Sequence, residues 1–376
     1  MDRYRRHQII FKLLNRLLTP GVCRRFRMRH DDVRVDGPML LISNHVSAWD
    51  PILVGMSLRE KHAYFVASEH IFRLGLLTRL LNSLLAPIPR RKASSGTDTV
   101  RTCLRHLREG HSICLFAEGE QSWDGRGIPI FPATGKLVKL SGATLVTYRL
   151  EGAYLSLPRW GRGIRRGKVY GHPVGAYPPE QLKALSPEEI NALIERDIRE
   201  DAWERQRQDP VRYRGRRRAE GMERALYACP ACRRIGTLRT EDDRIFCACG
   251  FSRRYAETGF FEPDEPFETL AAWDDWQREL LRTRGFVHEG EALFSDGEIE
   301  LSRIRPDHSE ETLTRGVLRQ YEDRLVCGEW SFPLAQIESM AMVQAHLLLL
   351  SAHGEYYQLR ATGGTNLRKY LEIWKG

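Results

Sequence analysis

Between Val33 and about Val174 short apolar runs recur between stretches of helical spacing, and no other feature narrows the fold as far. The strand-like runs are "PMLLIS", "PILVGMSL", "AYFVAS", "PIP", "SICLFA", "GKLVKLSG", "TLVTYRL" and "GKVYGHPV", with "FRLGLLTRLLNSLL" and "DTVRTCLRHLREG" carrying the helical period among them. Alternation of this kind predicts an α/β fold, a sheet flanked by helices with ligand sites at its strand ends. Two polar groups stand at such ends: His45 follows "PMLLIS" and Glu118 follows "SICLFA". At 376 residues the chain exceeds what one ordinary core serves, so two or three domains are expected.

The stretch "SNHVSAWDPI" sets Asn44, His45 and Asp50 just past an apolar strand. A histidine can take a proton from an alcohol near neutral pH, provided its ring is held in the right tautomer. A carboxylate bonded to the far ring nitrogen does this and stabilises the imidazolium that forms. Asp50, five residues on and across a turn into a helix starting near Pro51, can double back to His45. The competing interpretation is that Asp50 caps its helix and the pair is structural.

The opening "YRRHQIIFKLLNRLLTPG" repeats Ile9, Ile10, Leu13, Leu14, Leu17 and Leu18 along one helical stripe, and Pro20-Gly21 is expected to end that helix. The stripe packs either on the domain behind it or into a membrane interface, where flanking arginines meet anionic head groups. A formal net charge of +9 points to an anionic partner. Nucleic acid is not expected, because the arginine run "RYRGRRRAEG" has neither aromatic interleaving nor a helix-turn-helix pattern nearby. No apolar stretch approaches the roughly 20 residues that span a bilayer, and a signal peptide's apolar centre is missing, so a peripheral, cytosol-facing protein is expected. Downstream, "SPEEINALIERDIREDAWERQRQ" reads as one helix opened by a capping box of Ser186 and Glu189.

Cys23, Cys103, Cys114 and Cys327 are scattered singly, which argues against a disulfide framework. Cys229, Cys232, Cys247 and Cys249 are clustered as two pairs flanking a short basic hairpin, the arrangement of a four-thiolate ribbon for structural zinc. The second pair is Cys-x-Cys where ribbons usually have Cys-x-x-Cys. A segment this small has almost no core, so the metal would supply its folding energy. From Ser295 onward alternating strands end in the helical "TNLRKYLEIWK", an order that resembles a pleckstrin-homology or GRAM-like barrel, a module for lipid head groups or a protein partner.

"NHVSAWD", "APIPR" and "FAEGEQS" resemble, in order and spacing, the first three motifs of the lysophospholipid acyltransferase family, which includes the 1-acylglycerol-3-phosphate acyltransferases. The resemblance covers roughly residues 5 to 205. It implies that His45 is the general base and Asp50 its orienter, and that the acceptor hydroxyl attacks the thioester of acyl-CoA or acyl-carrier protein. Asn44, Arg90, Glu118 and Gly119 would bind substrate, Arg90 taking the acceptor's phosphate. Family members commonly dock on membranes by N-terminal helices, which fits the amphipathic opening. Where the family usually reads Phe-Pro-Glu-Gly-Thr-Arg-Ser, this chain has Ala117, Glu120 and Gln121 in place of proline, threonine and arginine, and Thr147 replaces the fourth motif's proline. Gln121 cannot make the bidentate contacts of arginine, so the acceptor head group is less constrained than the reaction.

The expected organisation is amphipathic membrane-docking helices (1–30), an acyltransferase domain (31–208), a basic linker (209–225), a zinc ribbon (226–256), a helical connector (257–292) and a PH/GRAM-like barrel (293–376). The expected function is acyl transfer to the hydroxyl of a lysophospholipid, foremost 1-acylglycerol-3-phosphate, in phospholipid biosynthesis, on the cytoplasmic side of the membrane. The alternatives are transfer to an aminolipid or glycolipid, and a non-catalytic lipid-binding adaptor.

Overall fold

The computed structural model describes residues 3–59, 61–69, 82–90, 96–288, 290–305, 307 and 309–376. Most of "FRLGLLTRLLNSLL", and Arg91, lie outside them. The chain forms two units, the first running to Arg214 and the second from Gly215, with residues 160–163 contributing to the second.

In the first unit seven strands make one sheet: β1 (Met28–His30), β2 (Met39–Ser43), β3 (Ala63–Ser68), β4 (Ile88–Arg90), β5 (Ser112–Leu115), β6 (Thr144–Glu151) and β7 (Val169–Tyr177), in the order β1-β7-β6-β2-β5-β3-β4. Only the β6–β7 pair is antiparallel. Met39 to Ser43 are all buried without alternation, as in a parallel strand covered on both faces. β2 pairs with β5 so that Ile42 lies opposite Leu115. His45 and Glu118 each stand three residues past that pair, so the register delivers them together at the carboxyl end of the sheet.

The helices include α1 (Arg3–Phe26), α2 (Asp50–Met56), α3 (Thr97–Arg108), α4 (Ala133–Ser141), α5 (Pro187–Ile198) and α6 (Ala202–Gln208), beside the short helical turns Ala153–Ser156 and Pro179–Lys183. Two runs set among the strands, "PILVGMSL" and "GKLVKLSG", are therefore largely helical: the first is apolar throughout and carries no period to separate the two states, and in the second Leu137, Val138 and Ser141 are buried while Lys136, Lys139 and Leu140 are exposed, a helical spacing. Pro20 does not end α1. Proline removes one N–H, and the carbonyl that loses its partner belongs to Arg16; both residues are exposed, so that carbonyl is on the solvent side. The buried face of α1 is His7, Phe11, Asn15 and Thr19, with Asn15 Nδ2 donating to the Gly55 carbonyl at 2.6 Å. Its leucine stripe points outward, leaving Leu13 57% and Leu17 66% exposed. The Ser186 capping box forms, but the helix it opens stops at Ile198, and Asp201 caps α6 by accepting from Trp203 N and Glu204 N.

The second unit holds an antiparallel sheet of β8 (Leu238–Glu241), β9 (Arg244–Cys247), β10 (Ser252–Tyr255) and β11 (Phe261–Glu262), then α7 (Leu270–Arg282). Within the segment read as a linker, Ala219, Met222 and Ala225 are fully buried, so they form part of this unit's core. Seven further strands follow: β12 (Phe294–Ile304), β13 (Glu310–Gln320), β14 (Arg324–Cys327), β15 (Trp330–Pro333), β16 (Ile337–Gln344), β17 (Leu347–Ala352) and β18 (Glu355–Ala361). Their order is β15-β14-β13-β12-β18-β17-β16, antiparallel throughout, and α8 (Arg368–Lys375) ends the chain. Arg368 is wholly buried and holds both carboxylate oxygens of buried Asp274 at 2.7 and 2.8 Å, a paired charge that burial tolerates.

Candidate active site

Asp50 stands at the start of α2 and does not cap it; no side chain caps that helix. Its Oδ2 turns back instead and accepts from Val46 N at 2.7 Å, Ser47 N at 2.9 Å and the His45 ring at Nδ1, 2.7 Å. An oxygen that accepts from two backbone N–H groups is an acceptor toward the ring as well, so the His45 proton sits on Nδ1 and Nε2 carries the lone pair. Asp50 is wholly buried while the His45 side chain keeps 17% of its surface. The ring also stacks on Phe116 at 4.4 Å between centroids, which fixes its plane. The five-residue spacing thus closes a loop whose backbone donors and imidazole converge on one carboxylate oxygen, as a base with its orienter requires.

The loop after β5 grips the same residue from the other side. Glu118 Oε2 accepts from His45 N at 3.2 Å, and Ser122 N donates to the His45 carbonyl at 2.9 Å. Burial pushes the Glu118 carboxyl well above the usual carboxylate range, against the pull of the His45 and Ile128 N–H groups. Glu118 is only 4% exposed, and its described contact is with the backbone of His45. Asn44 is enclosed in the same way: it is wholly buried, and its amide makes a reciprocal pair with the Leu150 backbone, at 2.9 Å to the carbonyl and 2.8 Å from the N–H. The pair ties the end of β2 to β6.

Gly119 has φ +73°, and a Cβ there would lie 2.1 Å from Cε2 of Phe131. The glycine therefore serves the close approach of a ring, and that ring is the platform for Arg90, whose guanidinium carbon sits 4.1 Å above its centroid. Arg90, the last residue of β4, is thus held by an aromatic face that no local sequence pattern announces. Gln121 has a neighbour that sequence reasoning also missed. Arg159 Nη1 donates to Glu120 Oε2 and to the Gln121 carbonyl, both at 3.1 Å, and its guanidinium lies 4.1 Å over Trp123. Glu120 stands where the family usually has threonine, and Arg159 is what it pairs with. Basic residues farther on are engaged elsewhere: Arg149 donates to the Asp197 carbonyl and Lys168 pairs with Asp209.

In the second unit the four clustered cysteines come together. Cys229 and Cys249 Sγ are 3.6 Å apart, Cys232 and Cys247 Sγ 3.8 Å, and all four sulfurs lie within 4.8 Å of one another. These separations exceed a disulfide bond of about 2.05 Å. They match the edge of a tetrahedron with metal–sulfur bonds of about 2.3 Å, which is about 3.8 Å. The Cys-x-Cys pair reaches this geometry through a turn in which Gly250 N donates to the Cys247 carbonyl at 3.0 Å.

Residues 25–151 match the model of the acyltransferase family. A chloroplastic 1-acyl-sn-glycerol-3-phosphate acyltransferase of Brassica napus, BAT2, is 27% identical over 167 residues, which are 43% of this chain and 48% of that protein. Its counterpart LPAT1 of Arabidopsis thaliana is 28% identical over 130 residues, 34% of this chain and 36% of that one. The chain thus spans about half or less of the curated relatives it matches. The crystal structure of the 1-acyl-sn-glycerophosphate acyltransferase PlsC from Thermotoga maritima aligns with a TM-score of 0.42 and 16% identity, covering 52% of this chain and 81% of that one.

Proposed function

We propose that this chain, whose residues 25–151 belong to the acyltransferase family, moves an acyl group from a thioester donor to the hydroxyl of a lysophospholipid, with His45 as general base. The observation that carries this is the 2.7 Å bond between His45 Nδ1 and Asp50 Oδ2, which leaves Nε2 to receive a proton. The acceptor hydroxyl gives its proton to Nε2 as its oxygen bonds to the thioester carbonyl carbon. The tetrahedral intermediate then expels the thiolate, which takes the proton back from Nε2. The donor is acyl-CoA or acyl-carrier protein, and 1-acylglycerol-3-phosphate is the foremost acceptor, its phosphate met by Arg90 on the Phe131 ring.

One observation favours a second acceptor class. The guanidinium beside the third motif is already paired with Glu120, so that end of the site carries little free positive charge and suits an aminolipid or glycolipid. Four cysteines at tetrahedral spacing support a structural zinc in the second unit, and the strand order supports a PH/GRAM-like module beyond it, for lipid head groups or a protein partner. The outward leucines of α1, flanked by arginines, support peripheral docking on an anionic membrane from its cytoplasmic side. Among the described residues no helix is long and apolar enough to cross a membrane.

The test is incubation of the protein with acyl-CoA or acyl-carrier protein and a panel of lysolipids, products identified by mass spectrometry, with His45→Ala as control. Thioester consumption with lysophosphatidate supports the first acceptor and consumption with an aminolipid or glycolipid the second. No consumption with any pair would leave the non-catalytic adaptor.

A further inference from the structure

α3 ends and β5 begins through the turn His106-Leu107-Arg108-Glu109-Gly110-His111, at the amino end of the sheet, away from His45. Gly110, with φ +83°, reverses the chain so that His111 N donates back to the His106 carbonyl at 2.9 Å. This closure brings the two imidazoles together at a tilt of 42°, their Nδ1 atoms 3.1 Å apart. Glu109 Oε2 completes a triangle, 3.8 Å from His106 Nδ1 and 3.5 Å from His111 Nδ1. Those last two separations are longer than a good hydrogen bond, so the carboxylate bonds to neither ring nitrogen. The two ring nitrogens are within hydrogen-bond distance of each other, one donating to the other; once that proton leaves, three electron-pair donors converge on one point.

We propose that His106, Glu109 and His111 bind a divalent transition metal such as zinc, with water completing its shell. Ligands about 2.05 Å from a tetrahedral ion are separated by about 3.3 Å, and the three measured edges bracket that value. Two imidazoles with one carboxylate suit zinc better than calcium or magnesium, which take oxygen ligands. The carboxyl end of the 12-residue α3 adds its negative dipole end to the attraction for a cation. Both rings are pre-set by aromatic walls: Tyr64 packs on His106 at 4.6 Å, and Tyr4 of α1 stacks on His111 at 3.9 Å. A bound metal would fix the ring on which Tyr4 rests and so tie the first turn of α1 to the sheet. The site lies outside the acyl-transfer machinery and does not depend on that assignment.

The test compares the full chain with its His106→Ala/His111→Ala variant after equilibration with zinc and removal of free metal. Metal per protein is measured by mass spectrometry, and the difference between the two proteins isolates this site from the four cysteines. One equivalent more in the unaltered chain is expected; equal metal content overturns the proposal. Should circular dichroism show the double variant unfolded, Glu109→Gln is titrated by calorimetry instead. Loss of a directly bound carboxylate should weaken the additional site by roughly 10-fold or more, and unchanged affinity overturns the proposal.

Discussion

Replacing Asp50 by Asn separates the orienting role of this carboxylate from a structural one, because the amide is nearly isosteric and removes only charge and one acceptor. Oδ2 receives three donors at 2.7, 2.7 and 2.9 Å. Hydrogen bonds to a charged group are worth about 1.5–3 kcal/mol and neutral ones about 0.5–1.5, so over three bonds the exchange should cost about 3–4.5 kcal/mol of stability. The catalytic loss comes on top of this. The amide cannot stabilise the imidazolium, and if its NH2 faces the ring the wrong tautomer results, so most of the general-base contribution of about 100- to 10,000-fold disappears. That is about 3–5 kcal/mol of barrier. The assay is thioester consumption from acyl-CoA with lysophosphatidate, corrected for the folded fraction by a thermal melt. His45→Ala/Asp50→Asn should be no slower than His45→Ala alone, since the two act as one unit. A folded Asp50→Asn protein turning over within about tenfold of wild type, with His45→Ala inactive, would refute the assignment.

Further outcomes follow from the same geometry. Gly119→Ala forces a Cβ into the Phe131 ring and a side chain into left-handed backbone, so the ring moves from under Arg90; acceptor KM should rise more than kcat falls, and unchanged kinetics would show the platform to be irrelevant. Leu13→Asp and Leu17→Asp should each weaken sedimentation with anionic vesicles by roughly tenfold, as about 1.5 kcal/mol or more of apolar burial is lost; equal sedimentation would place the docking surface elsewhere. His62 is 1% exposed, and burial, with His7 and His111 adding, lowers its pKa to about 3. The unfolded chain binds that proton near the ordinary pKa of about 6.5 and the folded chain does not, so stability falls as pH drops from about 6.5 toward about 3, by up to about 5 kcal/mol. Thermal melts from about pH 7 to about pH 4 should show the decline, and His62→Phe should flatten it.

Much of the site is legible in sequence because its parts are local or carried by paired strands. His45 and Asp50 are joined by one turn, and His45 and Glu118 by equal distances beyond a strand pair. What is illegible depends on contacts between distant segments. Arg159 reaches Glu120 across 39 residues, and Phe131 comes under Arg90 across 41, with no local pattern announcing either. The reciprocal bonds of Asn44 to Leu150, 106 residues away, are of the same kind. The fold shows the same limit. "PMLLIS" is a strand and "PILVGMSL" largely a helix, although neither run carries a period that separates the two states.

The edge strand β1 has a consequence in time. Its sheet partner is β7, Met28 lying opposite Val169, about 140 residues farther along the chain (169 − 28 = 141). A ribosome adding about 5–20 residues per second needs roughly 7–28 s to make that partner. Throughout this interval α1 is complete while the sheet edge beside it is missing, although its inner face of His7, Phe11, Asn15 and Thr19 is buried in the finished fold. The helix is therefore complete well before the edge strand that follows it can pair and the sheet can close beside it.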